Sequence, residues 1–321
     1  TALLTSVGAV SPGAVAIVAP IALRFSQQYR IHPLLMGLMV IHGAQGGGFS
    51  PMSVYGGITN QVVQRAQLPG SDMHLFIASL CFNLFVAVVV FFVFGGRSLL
   101  AQPAVQVERT GAGDTAGGPA GGERLTYPQV WTLIGLIALG VGVLVFELNV
   151  GLVAITIAVV LTILFPKDQA RAVDQIHWST VLLICGVVTY VAVLQKGGAV
   201  AYVGDSVSSA GAPLMGALLL CYVGGVVSAF ASTVGVLGAI IPLAVPLLLL
   251  GQIDALSVVA ALAISSSIVD VSPFSTNGAL VLASAHGIDR ELLYRQLLAY
   301  SAVVVAFAPL LAWAVIVLPG S

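Results

Sequence analysis

The sequence predicts an all-α polytopic membrane protein, an inverted repeat with re-entrant helical hairpins and discontinuous helices. Three observations predict it: an apolar, nearly charge-free composition, several uninterrupted runs of membrane-spanning length, and a Ser/Pro/Gly pattern that breaks the other apolar stretches in both halves. Of 321 residues, 59% are hydrophobic and 7% charged, against about 25% charged in soluble domains. That leaves too little polar surface to coat a water-facing globule. Eleven Lys and Arg against twelve Asp and Glu give a formal charge of −1, which offers no electrostatic footprint for nucleic acid. Soluble enzymes, nucleic-acid binders and disordered chains are all disfavoured. Cys81, Cys185 and Cys221 sit in apolar runs without Cys-x-x-Cys spacing, so they read as small core residues rather than a disulfide or zinc framework.

A span needs about 20 mainly apolar residues. Segments 73–95, 128–146, 149–165, 178–195 and 292–318 meet that requirement; between Phe82 and Phe94, Asn83 is the only polar side chain. Trp131, Trp178 and Trp313 fall near predicted span ends, where an indole sits at headgroup level.

Segments 1–23, 31–66, 213–250 and 255–287 are apolar but interrupted. The interruptions are Ser11-Pro12-Gly13, Gly46 to Pro51, Ala231 to Gly235, and Asp270 to Gly278. A broken helix frees N–H and C=O groups that lipid cannot satisfy, so such breaks persist only inside protein or along a polar cavity. Four of them suggest a solute path.

The stretch 97–127 is rich in Gly, Ala, Thr and Pro, carries Glu108, Arg109, Asp114, Glu123 and Arg124, and has no hydrophobic period. It reads as a flexible cytoplasmic linker. The expected organisation is a first repeat over 1–96, this linker, connecting transmembrane helices over 128–177, and a second repeat over 178–321.

The halves share a pattern. Thr5-Ser6-Val7-Gly8 and Ser232-Thr233-Val234-Gly235 each precede, by about 40 residues, the element x-Ser-Pro-x-Ser-x-x-Gly, at Phe49 to Gly56 and Val271 to Gly278. Paired Gly/Pro-interrupted segments in corresponding halves point to a midplane binding site. With residues 1–23 returning to the cytoplasm, Arg24, Arg30, Arg97, Arg109, Arg124, Lys167, Arg171, Arg290 and Arg295 face inward and only Arg65 and Lys196 outward. That satisfies the positive-inside rule and puts the C-terminus outside. The first half begins almost on its Thr5-Ser6 element, without the arm that precedes Ser232, so helices opening the first repeat are expected to be missing.

Ser/Thr-rich hairpin tips, each followed by a discontinuous helix, resemble the ion transporter superfamily. Within it the nearest likeness is to the divalent anion–sodium symporter group and its malonate/C4-dicarboxylate (MatC-type) carriers. The resemblance rests on Thr5 to Pro20 with Gly46 to Gly56, on Ser232 to Pro242 with Ser265 to Gly278, and on Trp178 to Gly198. It implies a scaffold and a moving transport domain, hairpin tips that bind substrate carboxylates, Na⁺ or H⁺ as coupling ion with no other cofactor, and a homodimer in a bacterial inner membrane. The tips here, Leu4-Thr5-Ser6 and Ala231-Ser232-Thr233, lack the Asn of the family's Ser-Asn-Thr tips, and fit a malonate-carrier-like branch better than a succinate or citrate symporter.

Candidate substrate-binding residues are Thr5, Ser6, Ser232 and Thr233, whose hydroxyls at broken helix ends suit a carboxylate or merely cap the helices. Ser50, Ser53, Ser275, Thr276 and Asn277 occupy the partner breaks. Gly48, Gly235 and Gly278 allow close backbone approach near a coupling ion or serve packing. Asp270 is the sharpest residue, since an intramembrane carboxylate costs about 2.5–3.5 kcal/mol on insertion scales. It is either a proton or Na⁺ site or a structural carboxylate satisfied at the break; Gln45 to Gly48 supply no equivalent acid in the first half. His42 reads as a cavity-wall or core residue; His32, His74, His177 and His286, with Glu147 and Asn149, read as interfacial. The expected function is a cation-coupled secondary carrier of small dicarboxylates working by alternating access. The alternative is a Na⁺/H⁺ or other ion antiporter of the same superfamily. No HExxH, GxSxG or GxxxxGK[ST] pattern supports an intramembrane enzyme or an ATP-driven pump.

Overall fold

The computed structural model describes residues 1–96, 99, 126–146, 148–166, 213–249 and 251–320, with isolated positions between 178 and 202. Most of the expected linker, Glu147, the segment with Lys167, Arg171 and His177, and most of the expected 178–195 span lie outside the described residues. Every element among the described residues is helical. In chain order they are α1 (Ala2–Ser6), α2 (Ser11–Gln28), α3 (Pro33–Gly47), α4 (Val54–Arg65), α5 (Asp72–Val93), α6 (Tyr127–Leu144), α7 (Val150–Leu164), α8 (Pro213–Ser228), α9 (Thr233–Leu249), α10 (Ala255–Ile268), α11 (Thr276–Ala283) and α12 (Arg290–Ala312). A π-turn at Trp313–Val317 extends α12.

Two of these helices are long and apolar enough to cross a membrane, Asp72–Val93 with 22 residues and Arg290–Val317 with 28. They are the two expected spans that follow each break. α6 and α7 are apolar helices that pack on each other within the unit formed by residues 96–176. Asn149 caps α7, its Oδ1 accepting from the N–H groups of Gly151 at 3.0 Å and Leu152 at 3.2 Å.

The other unit comprises residues 1–95 and 177–321. Its outside is apolar: Leu84, Phe85, Val303 and Phe307 are all exposed. Its inside is polar at many points, burying Ser11, His42, Gln45, Asn83, Thr233, Asp270 and Asn277. Apolar side chains outside and polar groups kept within an otherwise apolar interior suit a lipid solvent, because hydrocarbon cannot satisfy hydroxyls and amides. Cys81 lies among the exposed apolar residues of α5 and Cys185 is also exposed, whereas Cys221 is buried. The reading of three core cysteines therefore holds for one. A thiol is apolar enough to face acyl chains as readily as a protein interior.

Within this unit, α1–α5 and α8–α12 have the same packing scheme. α2 packs on α3 as α9 does on α10, and α3 on α5 as α10 does on α12. The contacts between the runs are crosswise: α2 against α11 and α9 against α4, then α5 against α10 and α12 against α3. Exchanging the two runs reproduces these pairs. The connections meet crosswise too. Gln27 Nε2 at the end of α2 donates to the carbonyl of His286, between α11 and α12, at 2.7 Å. At the opposite end, a small cleft lined by Asn60, Gly70, His74 and Leu256 joins the α4–α5 connection to the start of α10. Arg24, Arg30 and Arg290 belong to the first end and Arg65 to the second.

Candidate functional site: two breaks and two hairpin tips

The recurring Ser-Pro-x-Ser-x-x-Gly folds into one turn twice. In the first break Ser53 N–H and Oγ–H both donate to the Ser50 carbonyl, at 2.9 and 2.8 Å. In the second, Ser275 N–H and Oγ–H donate to the Ser272 carbonyl at 3.0 and 2.7 Å. Upstream, Gly48 N–H bonds Gln45 O and Asp270 N–H bonds Ser267 O, each at 3.0 Å. The glycine closing each copy is required by close approach. A Cβ at Gly56 would lie 2.2 Å from the Ser50 carbonyl oxygen, and one at Gly278 would lie 2.0 Å from that of Ser272. This register makes Gly48 the counterpart of Asp270, and Tyr55 the counterpart of Asn277.

The hairpin tips match less directly. Thr5 and Ser6 lie at the C-terminal end of α1, where their hydroxyls donate back to the Ala2 carbonyl at 3.1 and 2.8 Å. The first tip turns through Gly8, at φ +110°, and the helix that follows starts at Ser11 with Pro12 in its first turn. Ser11 therefore occupies the place that Thr233 holds at the start of α9. A Ser-Pro pair opening an apolar run is itself a helix-start signal. Each tip closes onto its own break: Ser50 Oγ donates to the Ser6 carbonyl at 2.6 Å, and Phe230 stacks on Phe274 with centroids 5.8 Å apart.

The two halves then meet at one point. Asn277 Nδ2 donates to Asp270 Oδ2 at 2.7 Å and to Ser11 Oγ at 2.9 Å. Asn277 N–H reaches Asp270 Oδ1 at 3.3 Å. The Tyr55 hydroxyl adjoins the side chains of Ser11 and Thr233, near Asp270. Thr233 Oγ1 also lies 3.1 Å from Ser228 Oγ. Ser11, Tyr55, Thr233, Asp270 and Asn277 are all buried, and they come from the first turns of α2, α4, α9 and α11 and the break before α11. Four helix N-termini thus bring partial positive charge to one region, beside a carboxylate that has no Lys or Arg partner among the described residues. Asn277 Oδ1 is buried without a hydrogen-bond partner.

The remaining candidates divide. Ser53 caps α4 by accepting from Gly56 N–H at 3.2 Å and shares its one hydroxyl proton between the Ser50 and Gly48 carbonyls, so its hydroxyl is fully engaged in the turn. Ser275 is buried and donates within its own turn, Thr276 is exposed, and Ser232 and Gly235 are half-buried. Gly48 and Gly278 are buried in the breaks. His42 stands apart, held by Asn83 Oδ1 at 3.3 Å and the Tyr300 hydroxyl at 2.8 Å where α3, α5 and α12 meet. Sequence reasoning missed Ser11 and Tyr55 as site residues. Among the described residues no three His, Cys, Asp or Glu side chains gather as a transition-metal site.

Residues 1–48 match the family described as the dicarboxylate carrier protein MatC N-terminus. The match covers α1, α2 and α3 and ends at Gly48, inside the first break. No curated protein matches the chain. The matched segment carries Ser11, which bonds Asn277 of the second half, so the similarity to a dicarboxylate carrier includes part of this polar centre.

Proposed function

We propose that this membrane protein is a secondary active carrier of small dicarboxylates, malonate or C4 acids, coupled to Na⁺ or H⁺. The observation that carries the reading is the meeting of four helix N-termini, drawn from both halves, around a buried carboxylate in a chain whose outer surface is apolar. Helix N-termini and hydroxyls supply hydrogen-bond donors for an anion without a Lys/Arg clamp. The match of residues 1–48 to a dicarboxylate carrier family supports the anion class. Crosswise packing and crosswise connections support two oppositely oriented repeats with re-entrant hairpins, an arrangement suited to alternating access. Ser232, Thr233, Thr276 and Ser11 are the proposed substrate contacts and Asp270 with Asn277 the coupling-ion site; Thr5, Ser6, Ser50, Ser53 and Ser275 hold the tips and turns. A homodimer in a cell membrane with an outward C-terminus completes the reading.

The test is uptake of labelled malonate and succinate into proteoliposomes under imposed Na⁺ or H⁺ gradients. Gradient-driven accumulation, lost in Asp270→Asn and weakened in Thr233→Ala, is the expected result. Cation exchange without uptake of either acid would instead identify an ion antiporter built on the same site.

A further inference from the structure

Each hairpin tip comes down on its own break, but the two halves close that seam with different chemistry. The spacing that pairs Ser11 with Thr233 and Gly48 with Asp270 also pairs Gly8 with Phe230 and Met52 with Phe274. In the first half backbone closes the seam: a Cβ on Gly8 would lie 3.2 Å from the Met52 carbonyl oxygen. In the second half side chains close it. The Phe230 and Phe274 rings stack with their planes 27° apart, and Tyr294 on α12 meets Phe274 nearly at right angles, with centroids 6.4 Å apart.

This ring pair is open to the outside, Phe230 being 69% and Phe274 54% exposed. Most of the polar centre is not. Ser11, Tyr55, Thr233, Asp270 and Asn277 are buried, whereas Ser232 is half-buried and Thr276 exposed. Among these groups the way in from outside runs past those two hydroxyls. Ser232 lies next but one to Phe230 on the tip, and Thr276 next but one to Phe274 on the break, so rings and hydroxyls line one seam. From this juxtaposition we propose that Phe230 and Phe274 form an apolar wall of the substrate site, which selects dicarboxylates with an unsubstituted carbon chain over hydroxylated ones. The proposal rests on the carrier reading, with Ser232 and Thr276 as substrate contacts, and narrows its substrate class.

The recognition divides between the ends and the middle of such a molecule. Hydroxyls and helix N-termini suit the carboxylates, and apolar ring faces suit the CH₂ or CH=CH groups between them. The rings offer no hydrogen bond, and the N–H groups of the same residues are taken. Phe230 N–H donates to the Val227 carbonyl and Phe274 N–H to Ser272 Oγ, each at 3.2 Å. A substrate hydroxyl set against this wall gives up water and gains nothing from the rings, an unfavourable exchange. Apolar contacts of this kind discriminate by about 10- to 100-fold.

The experiment measures initial rates of labelled succinate uptake into proteoliposomes of the full chain, with unlabelled malonate, fumarate, malate or tartrate as inhibitor. In wild type the inhibition constants of malate and tartrate are expected to exceed those of malonate and fumarate by about tenfold or more. Phe230→Ser and Phe274→Ser admit water to a bound hydroxyl and are expected to shrink that ratio to about threefold or less. Phe230→Leu keeps the wall apolar and is expected to keep the wild-type ratio. Malate inhibiting wild type as well as fumarate does, or a wild-type ratio retained in both serine variants, overturns the proposal. If one serine variant does not fold, the wild-type ratio and the other variant decide the matter. Failure of the carrier reading looks different: no uptake of succinate and none of labelled malonate under either gradient, whereas uptake without discrimination sinks the aromatic wall alone.

Discussion

Asn277 holds Asp270 and Ser11 with one amide nitrogen, at 2.7 and 2.9 Å, and so ties the second broken helix to the helix after the first hairpin tip. Asn277→Ala removes the 2.7 Å side-chain donor from the carboxylate, and stability is expected to fall by about 1–3 kcal/mol, the usual cost of stranding a buried polar group. Ser11→Ala removes the acceptor of the second bond together with a hydroxyl beside Tyr55, and is expected to cost about 1 kcal/mol. Thermal unfolding in detergent measures both. Because the residues share one network, the double variant is expected to cost less than the sum.

Ser53 separates turn-building from substrate binding. Its hydroxyl caps α4 through Gly56 N–H, so Ser53→Ala is expected to lower stability by about 1 kcal/mol and to leave the KM for labelled acid unchanged. A rise in KM at unchanged stability would move this serine into the substrate site.

Glycine substitutions test the repeated turn. Gly278→Ala forces a methyl carbon onto the Ser272 carbonyl, and Gly56→Ala does the same at Ser50. Backbone cannot swing away as a side chain can, so both variants are expected to lose about 3 kcal/mol or more, or fail to accumulate in membranes. Gly13, in the first turn of α2, has open space where its Cβ would project. Gly13→Ala is expected to be neutral or to gain up to about 1 kcal/mol. Expression level and unfolding midpoint distinguish the three.

Asp254, at the start of α10 and outside the spans, gives a pH signature. Partial burial pushes its carboxyl up, but hydrogen bonds from the Ser257 hydroxyl at 2.6 Å and the Ser257 N–H at 2.8 Å outweigh that and hold it below the usual value of 3.8. A depressed folded-state pKa adds stability that is present above 3.8 and is lost as pH falls through the folded value. Asp254→Asn is therefore expected to lower stability at neutral pH and to flatten the acid limb of the stability profile below about pH 4, where the two proteins converge. Unfolding midpoints across an acid pH series provide the check.

Sequence alone located what depends on uninterrupted character. The 73–95 and 292–318 runs became α5 and the α12 segment because a long apolar stretch has one low-energy form in lipid. Both breaks were visible as Ser-Pro-x-Ser-x-x-Gly because the turn needs those residue types locally. The first tip was matched five residues too early, at Thr5 and Ser6, since Thr-Ser-Val-Gly resembles Ser-Thr-Val-Gly while the helix start is signalled by Ser11-Pro12. Tyr55 carried no assigned role in the sequence, only a place inside the first break. Its importance comes from Ser11, Thr233 and Asp270, which lie 44, 178 and 215 positions away in the chain, and no local pattern encodes such a meeting.

The crosswise packing of α2 on α11 and α9 on α4 has a consequence for biogenesis. When the ribosome has released α5, α2 and α4 still lack the neighbours that complete their polar faces, and those neighbours are more than a hundred residues from being made. The early half must wait in the bilayer with Ser11 and Tyr55 unmatched, so a fragment ending at the linker is expected to be a substrate for membrane quality-control proteases, and co-expression of the later half in trans to rescue it.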